Sequence, residues 1–254
     1  MRKKLVAGNW KMHKTLNEAE ATVAEIANGL SKLKNYGDIW IAPTTVFIRH
    51  LFQRFGETGI LFGAQNLNEH DQGAYTGEIS APQLLSIFAS FVIVGHSERR
   101  QIYNESDYII HQKVLAGLRH ELPIIFCCGE TIEERNANNH FKIVEAQLKE
   151  AFTGISHDAF RMITIAYEPV WAIGTGVNAT PEQAQEMHAF IRSQLQIMLG
   201  DTVAEQTRIL YGGSVKPNNA AELFGQQDID GALIGGASLQ AEDFLKIIEA
   251  SRTS

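Results

Sequence analysis

Apolar residues in this chain come in short blocks. Residues 5–7, 39–42, 60–63, 91–94, 124–127, 163–167, 209–211 and 232–234 are almost unbroken runs rich in Ile, Val, Leu, Ala and Phe. Such runs predict strands covered on both faces, because a strand with one wet face alternates polar and apolar positions. The segments between them are longer and amphipathic, and 17–30, 106–118, 132–152, 181–199 and 241–250 read best as helices. Thr180-Pro181-Glu182-Gln183 carries the start signals of one of them: a capping hydroxyl, a proline in the first turn, and a glutamine three residues after the cap. Eight strands alternating with helices in 254 residues predict a parallel sheet closed into a (β/α)8 barrel rather than an open doubly wound sheet. No Pro/Ser-rich linker, low-complexity run or internal repeat breaks the alternation, so the expectation is one α/β domain over residues 1–254.

A barrel of this kind concentrates chemistry at the carboxyl ends of its strands. The first run ends in Asn9-Trp10-Lys11 and the fourth in Gly95-His96-Ser97-Glu98-Arg99. The sixth ends in Glu168, and Pro169 behind it cannot continue a central strand's ladder. Pro169-Val170-Trp171 then offers a stiff entry to a loop whose Gly174 and Gly176 free backbone amides to approach an anion, which reads as strand, base, hinge and lid. The seventh and eighth runs lead into Gly212-Gly213-Ser214 and Gly235-Gly236, small residues that let amides close on a phosphate beside a helix start. Singly, each feature has an ordinary explanation: His96 a structural histidine, Lys11 a solvated surface lysine, a glycine pair a tight turn, Cys127 and Cys128 buried filling. A common position at the strand ends is what separates the first three from the cysteines.

Charge narrows the partners. The net charge of −7, with no basic cluster larger than Arg2-Lys3-Lys4, argues against a nucleic-acid binder. An anionic substrate would then have to be drawn in by a local field. Cys127 and Cys128 are adjacent, a poor geometry for a disulfide and for a spaced pair of metal ligands, and are expected as reduced thiols. The apolar run after the basic triplet is too short for a signal peptide, and no run approaches the length of a membrane span, so a cytoplasmic protein with no membrane partner is expected. The triplets starting at Asn104 and Asn178 match the glycosylation pattern by chance in that case. Neither GxGxxG, GxxxxGK[ST] nor HExxH occurs, which leaves nucleotide and zinc chemistry without support.

Asn9-Trp10-Lys11, VGHSERR at 94–100, YEPVWAIGTG at 167–176, YGGSV at 211–215 and the Gly235-Gly236 pair together resemble the triosephosphate isomerase family, in the right order and over almost the whole chain. The resemblance implies a TIM barrel that interconverts dihydroxyacetone phosphate and D-glyceraldehyde 3-phosphate through an enediol(ate), in glycolysis and gluconeogenesis, with no metal or organic cofactor. It implies that Glu168 moves a proton between the two carbons and that His96 polarises the carbonyl and helps shuttle protons between its oxygens. Lys11 and Asn9 would stabilise the enediolate, with Ser97 and Glu98 standing behind them and Glu98 as partner of Lys11. Amides near Gly174, Ser214, Gly235 and Gly236 would hold the phosphate, and a closed lid would keep the enediolate from eliminating it. Residues 65–78, with Gly73-Ala74-Tyr75-Thr76-Gly77, resemble the loop through which the family interlocks as homodimers, so a homodimer is expected. Two departures stand out: Val177-Asn178-Ala179 at the far hinge, where many relatives begin with lysine, and Cys128 in place of a branched aliphatic residue. Neither removes a catalytic group. Two other readings compete, an isomerase or lyase of a different sugar phosphate and a non-catalytic barrel that binds a phosphorylated metabolite. The first has no reason to keep His96, Glu168 and Lys11 together, and the second would be favoured by loss of any of the three.

Overall fold

The near-continuous apolar runs become strands with a core on each side. The structure, a computed structural model, describes residues 2–172 and 179–252. Its strands are β1 (Leu5–Asn9), β2 (Asp38–Ala42), β3 (Ile60–Phe62), β4 (Val92–Val94), β5 (Ile124–Cys128), β6 (Ile163–Tyr167), β7 (Ile209–Tyr211) and β8 (Gly231–Ile234). They run in the order β3-β2-β1-β8-β7-β6-β5-β4, and each named neighbour pairs in parallel. The remaining seam is closed just past β3, where Ser90 N–H donates to Phe62 O (2.8 Å), Ala64 N–H to Phe91 O (2.9 Å) and Ile93 N–H to Ala64 O (2.9 Å). The ring is therefore complete, and the fold is the single-domain (β/α)8 barrel that the alternation predicts.

Alternate residues explain why both faces are apolar. Leu5 and Ala7 of β1, Ile125 and Cys127 of β5 and Leu233 of β8 point into the barrel with Trp40 and Phe91, whose rings stack 4.6 Å apart. Val6, Ile41, Val92, Phe126 and Cys128 point out and pack under the helices. Each such side chain gains roughly 1.5–3 kcal/mol by leaving water, which is why polar residues inside the strands are rare, Thr164 of β6 being one. Cys127 and Cys128 are free thiols buried on opposite faces of one strand.

Four helices keep close to their expected bounds, at Leu16–Leu30, Asp107–Arg119, Pro181–Leu199 and Ala241–Ala250. Thr180 caps the third reciprocally: its hydroxyl accepts from Gln183 N–H (3.2 Å), and its own N–H donates to Gln183 Oε1 (3.0 Å). The segment 132–152 is not one helix. It divides into Ile132–Asn136 and His140–Phe152, because Asn138 between them adopts a left-handed backbone (φ 56°), which asparagine tolerates better than most residues. Ile48–Phe55, Ala81–Ser86, Ser97–Gln101, Asp201–Gln206 and Ala220–Phe224 are helices the pattern does not predict, since one or two turns show no full period.

At the amino ends of the strands, Asp230 ties the ring together. It accepts from Arg2 Nε (2.7 Å), Arg192 Nη2 (2.8 Å) and the backbone N–H of Ile209 in β7 (2.9 Å).

Candidate active site

At the opposite end, β1 continues past its apolar residues to Asn9, and β6 delivers Glu168 immediately after its last residue. The strand ends surround a cavity of about 670 Å³ whose wall includes Asn9, Lys11, His96, Glu168, Ser214, Gly235 and Gly236. Seven of the residues singled out in the sequence thus share one space. Ser97 and Glu98 stand behind it as partners of Glu168 and Lys11. Gly174, and with it the lid and its Val177-Asn178 hinge, lies outside the described residues.

Glu168 is 2% exposed. Its Oε2 accepts the Ser97 backbone N–H at 2.9 Å, and its Oε1 accepts the Ser97 hydroxyl at 3.1 Å. Buried carboxylates persist only when bonded in this way. His96 caps the short helix Ser97–Gln101, and its Nδ1 accepts the Glu98 backbone N–H at 3.2 Å. With Nδ1 accepting, Nε2 is the ring nitrogen left to donate, and it lies 3.0 Å from Glu168 Oε1. An imidazole donor and a carboxylate therefore face one another at the cavity wall.

Lys11 holds its place against backbone preference, with φ at 51°. Three contacts fix it: its N–H donates to Asn9 Oδ1 (3.1 Å), its carbonyl accepts from Gln65 Nε2 (2.8 Å), and its Nζ lies 2.6 Å from Glu98 Oε1. Gln65 also donates to Ala42 O at 3.0 Å, so one amide binds the ends of β1 and β2. Sequence reasoning assigned Gln65 only to the interlocking loop; its place just after β3 was the available signal.

Glycine at 212 has a specific reason. A Cβ there would lie 2.8 Å from Glu168 Cγ and 3.0 Å from Tyr167 O, so only glycine leaves the carboxylate its room. On the phosphate side of the expectation, Trp10 Nε1 donates to Ser238 O (3.0 Å) and the Ser238 hydroxyl to Gly235 O (2.7 Å), which links the Asn9-Trp10-Lys11 stretch to Gly235-Gly236. Ser214 O accepts from Asn219 Nδ2 at 3.1 Å.

A second buried acid, Glu130, escaped notice because nothing near it in sequence marks it. Its Oε1 accepts from Tyr167 Oη (3.0 Å), Trp171 Nε1 (2.8 Å) and Arg135 Nη1 (2.9 Å), joining the end of β6 to the entry of the 173–178 segment. Burial, and then the Glu130 charge, push the Tyr167 hydroxyl well above its usual pKa, which keeps it a donor. Burial, followed by the Glu168 charge, likewise raises Cys127 well above the ordinary thiol value, so no thiolate competes as a nucleophile in the barrel.

Among the described residues, no group of three or more His, Cys, Asp or Glu side chains could hold a metal ion, and no helix is long and apolar enough to cross a membrane. A family model described as triosephosphate isomerase matches residues 4–251. The triosephosphate isomerase of Chloroherpeton thalassium is 51% identical over 251 residues, covering 99% of this chain and 100% of that one. That of Flavobacterium psychrophilum is 50% identical over 248 residues, covering 98% and 99%. The crystal structure of triosephosphate isomerase from Bartonella henselae superposes with a TM-score of 0.87 at 42% identity, over 98% of both chains. With the barrel closed, the site assembled and relatives alike from end to end, the chain belongs to the triosephosphate isomerase family.

Proposed function

We propose that this chain interconverts dihydroxyacetone phosphate and D-glyceraldehyde 3-phosphate, with Glu168 as the proton-transferring base and His96 as the electrophile. The observation that carries this assignment of roles is His96 Nε2 facing a bonded, buried Glu168 at 3.0 Å in the cavity that Lys11 also lines. Glu168 takes a proton from the carbon beside the carbonyl, and the C–H electron pair becomes the enediolate double bond. Negative charge then collects on oxygen, where the His96 N–H, the Lys11 cation and the Asn9 amide stabilise it in the transition state rather than the ground state. The protonated Glu168 returns its proton to the neighbouring carbon. Proton and electrons stay within enzyme and substrate, so the step calls for no cofactor. Because Ser97 engages both carboxylate oxygens, the base has to turn away from Ser97 to reach carbon. The phosphate rests on amides near Ser214, Gly235 and Gly236, with Gly174 as the contribution of the lid, and a closed lid protects the enediolate from water.

A homodimer is part of the same reading. Beside the cavity lies a groove of about 530 Å³ whose lining includes Met12, Val46, Gln65, Glu98 and Tyr103. Met12 is 94% and Val46 76% exposed beside that opening, apolar surface that a second copy would cover. The loop at 65–78 is preformed: His70 and Tyr75 stack at 4.3 Å, and Asp71 pairs with Arg119 at 2.7 Å and His120 at 2.9 Å. In this reading the tip at 73–77 of a second copy enters that groove. Residues 1–254 act as one barrel domain in this scheme, and the reduced thiols suit a cytoplasmic setting.

The test is isomerisation of glyceraldehyde 3-phosphate by purified protein with chelator present, coupled to reduction of dihydroxyacetone phosphate. Glu168→Gln is expected to lower kcat by about 10²–10⁴-fold with the fold intact. Absence of turnover from folded protein would overturn the reaction, and a monomeric mass by light scattering at micromolar concentration would overturn the dimer.

A further inference from the structure

A triose phosphate carries nearly two negative charges at neutral pH, and this chain carries −7. Long-range electrostatics therefore oppose the encounter, and the cavity wall has to reverse the field locally. Its charges can be set out. Lys11 is matched by Glu98 at 2.6 Å, so that pair contributes little net attraction. Glu168 adds a negative charge, and Asp243, in the first turn of the helix Ala241–Ala250, lines the cavity as another. Residues 173–178 include no ionisable side chain, so their sequence adds no charge to this count. The remaining cation of the wall is Lys216.

Lys216 is exposed and joins no ion pair among the described residues. Its backbone is nonetheless fixed. Asn219 accepts the Lys216 N–H on Oδ1 (2.8 Å) and donates from Nδ2 to Ser214 O (3.1 Å), so one side chain staples both ends of the turn that joins Lys216 to Ser214. A solvated ammonium, unpaired among the described residues, is thereby carried two residues from an expected phosphate contact, on a turn braced by its own side-chain hydrogen bonds.

We propose that Lys216 is the electrostatic capture residue of this cavity, drawing the phosphate of an incoming triose phosphate toward the Ser214 and Gly235 wall. The proposal rests on the isomerase reaction above and assigns Lys216 to the encounter rather than to proton transfer. One unit charge acting on a phosphate at about 10 Å changes capture by about two- to fivefold at low salt, and screening removes the effect when the Debye length falls to about 3 Å.

The test is kcat/KM for glyceraldehyde 3-phosphate with wild type, Lys216→Gln and Lys216→Arg, as sodium chloride rises from about 10 mM to about 1 M. Lys216→Gln is expected to lower kcat/KM by about two- to fivefold at the low end, to converge on wild type at the high end, and to change kcat less than kcat/KM. Lys216→Arg should follow the wild-type salt curve. Equal kcat/KM for wild type and Lys216→Gln at low salt would overturn the proposal, and so would a deficit that persists undiminished at high salt. Wild type that turns over normally alongside either result condemns the role of Lys216 alone, whereas wild type without turnover overturns the role and the reaction together.

Discussion

Ser97 holds Glu168 by both carboxylate oxygens, its backbone N–H 2.9 Å from Oε2 and its hydroxyl 3.1 Å from Oε1. The base therefore rests against the start of the helix Ser97–Gln101, the same turn on which His96 is the cap. One tight turn thus sets the position of the base and the protonation pattern of the electrophile, and the two are coupled through His96 Nε2 at 3.0 Å. This coupling makes Ser97 a sensitive place to perturb without touching either reacting group.

Ser97→Ala removes the hydroxyl and leaves the amide. A net hydrogen bond is worth about 0.5–1.5 kcal/mol, somewhat more to a charged acceptor, so kcat is expected to fall by about two- to twentyfold while circular dichroism stays unchanged. Steady-state kinetics with both triose phosphates provide the measurement. An unaltered kcat would show that the backbone N–H alone aligns the carboxylate.

Gly212→Ala tests the space around the base. The added methyl would sit 2.8 Å from Glu168 Cγ and 3.0 Å from Tyr167 O, and the backbone oxygen cannot retreat because Gly212 N–H is bonded to it at 2.7 Å. Glu168 has to give way. A displacement on the order of 1 Å costs about 10²-fold in rate, so kcat/KM should drop by that order with only a modest change in melting temperature. Full activity in the alanine variant would mean that Glu168 reaches substrate from a different rotamer.

The sequence was most legible where one residue type has one structural use. The β6 and β7 bounds coincide with their apolar runs, because a run buried on both faces has nowhere else to go. Gly8 and Asn9 extend β1 beyond its apolar run, and Asn9 is paired in register with Ala42, which hydropathy does not show. The short helix Ser97–Gln101 was hidden for a different reason: five residues give no period, and its cap is a histidine rather than the usual hydroxyl or carboxamide. In the site, the strand-end groups were readable because position in the barrel gives them a common face. Gln65 and Glu130 were not, since each acts on a partner more than thirty residues away in the chain, Lys11 for one and Tyr167 and Trp171 for the other.

His188 supplies a pH dependence of stability. It is fully buried on the helix Pro181–Leu199, between the Tyr167 and Tyr211 rings at 5.8 and 6.3 Å, with Nδ1 at 3.2 Å from Asp228 O. Burial lowers its pKa from 6.5 to about 4, overcoming the opposing pull of the Asp228 carbonyl and of the Asp230 charge. Between those values the unfolded chain binds a proton that the folded chain refuses. The contribution of this group is therefore complete above about pH 6.5 and is lost as pH falls toward 4, amounting to roughly 3 kcal/mol across the window. Urea unfolding at pH 7 and at pH 4.5 should show a smaller difference for His188→Gln than for wild type. Equal pH dependence in the two proteins would remove His188 from the account.

The strongest effect on stability is expected far from the cavity, at Asp230. This carboxylate is 2% exposed and is shared by Arg2 at 2.7 Å, Arg192 at 2.8 Å and the Ile209 N–H at 2.9 Å, so it connects the amino-terminal segment, the helix Pro181–Leu199 and β7. Removing it by Asp230→Ala leaves the Arg192 guanidinium buried, with Asp228 as its one carboxylate at 2.5 Å, and leaves the Ile209 amide without its acceptor. Breaking a buried pair in this way costs about 3–5 kcal/mol, and for a chain of this size each kcal/mol corresponds to about 2–4 °C of melting temperature. A fall in Tm of about 6–20 °C is expected, measured by calorimetry at pH 7. The double variant Asp230→Ala with Arg192→Met should lose less than the sum of the two single variants, because the guanidinium left short of a partner is removed together with it. A double variant that fares no better than the sum of its single variants would show that Asp230 acts through the Ile209 amide and Arg2 rather than by neutralising Arg192.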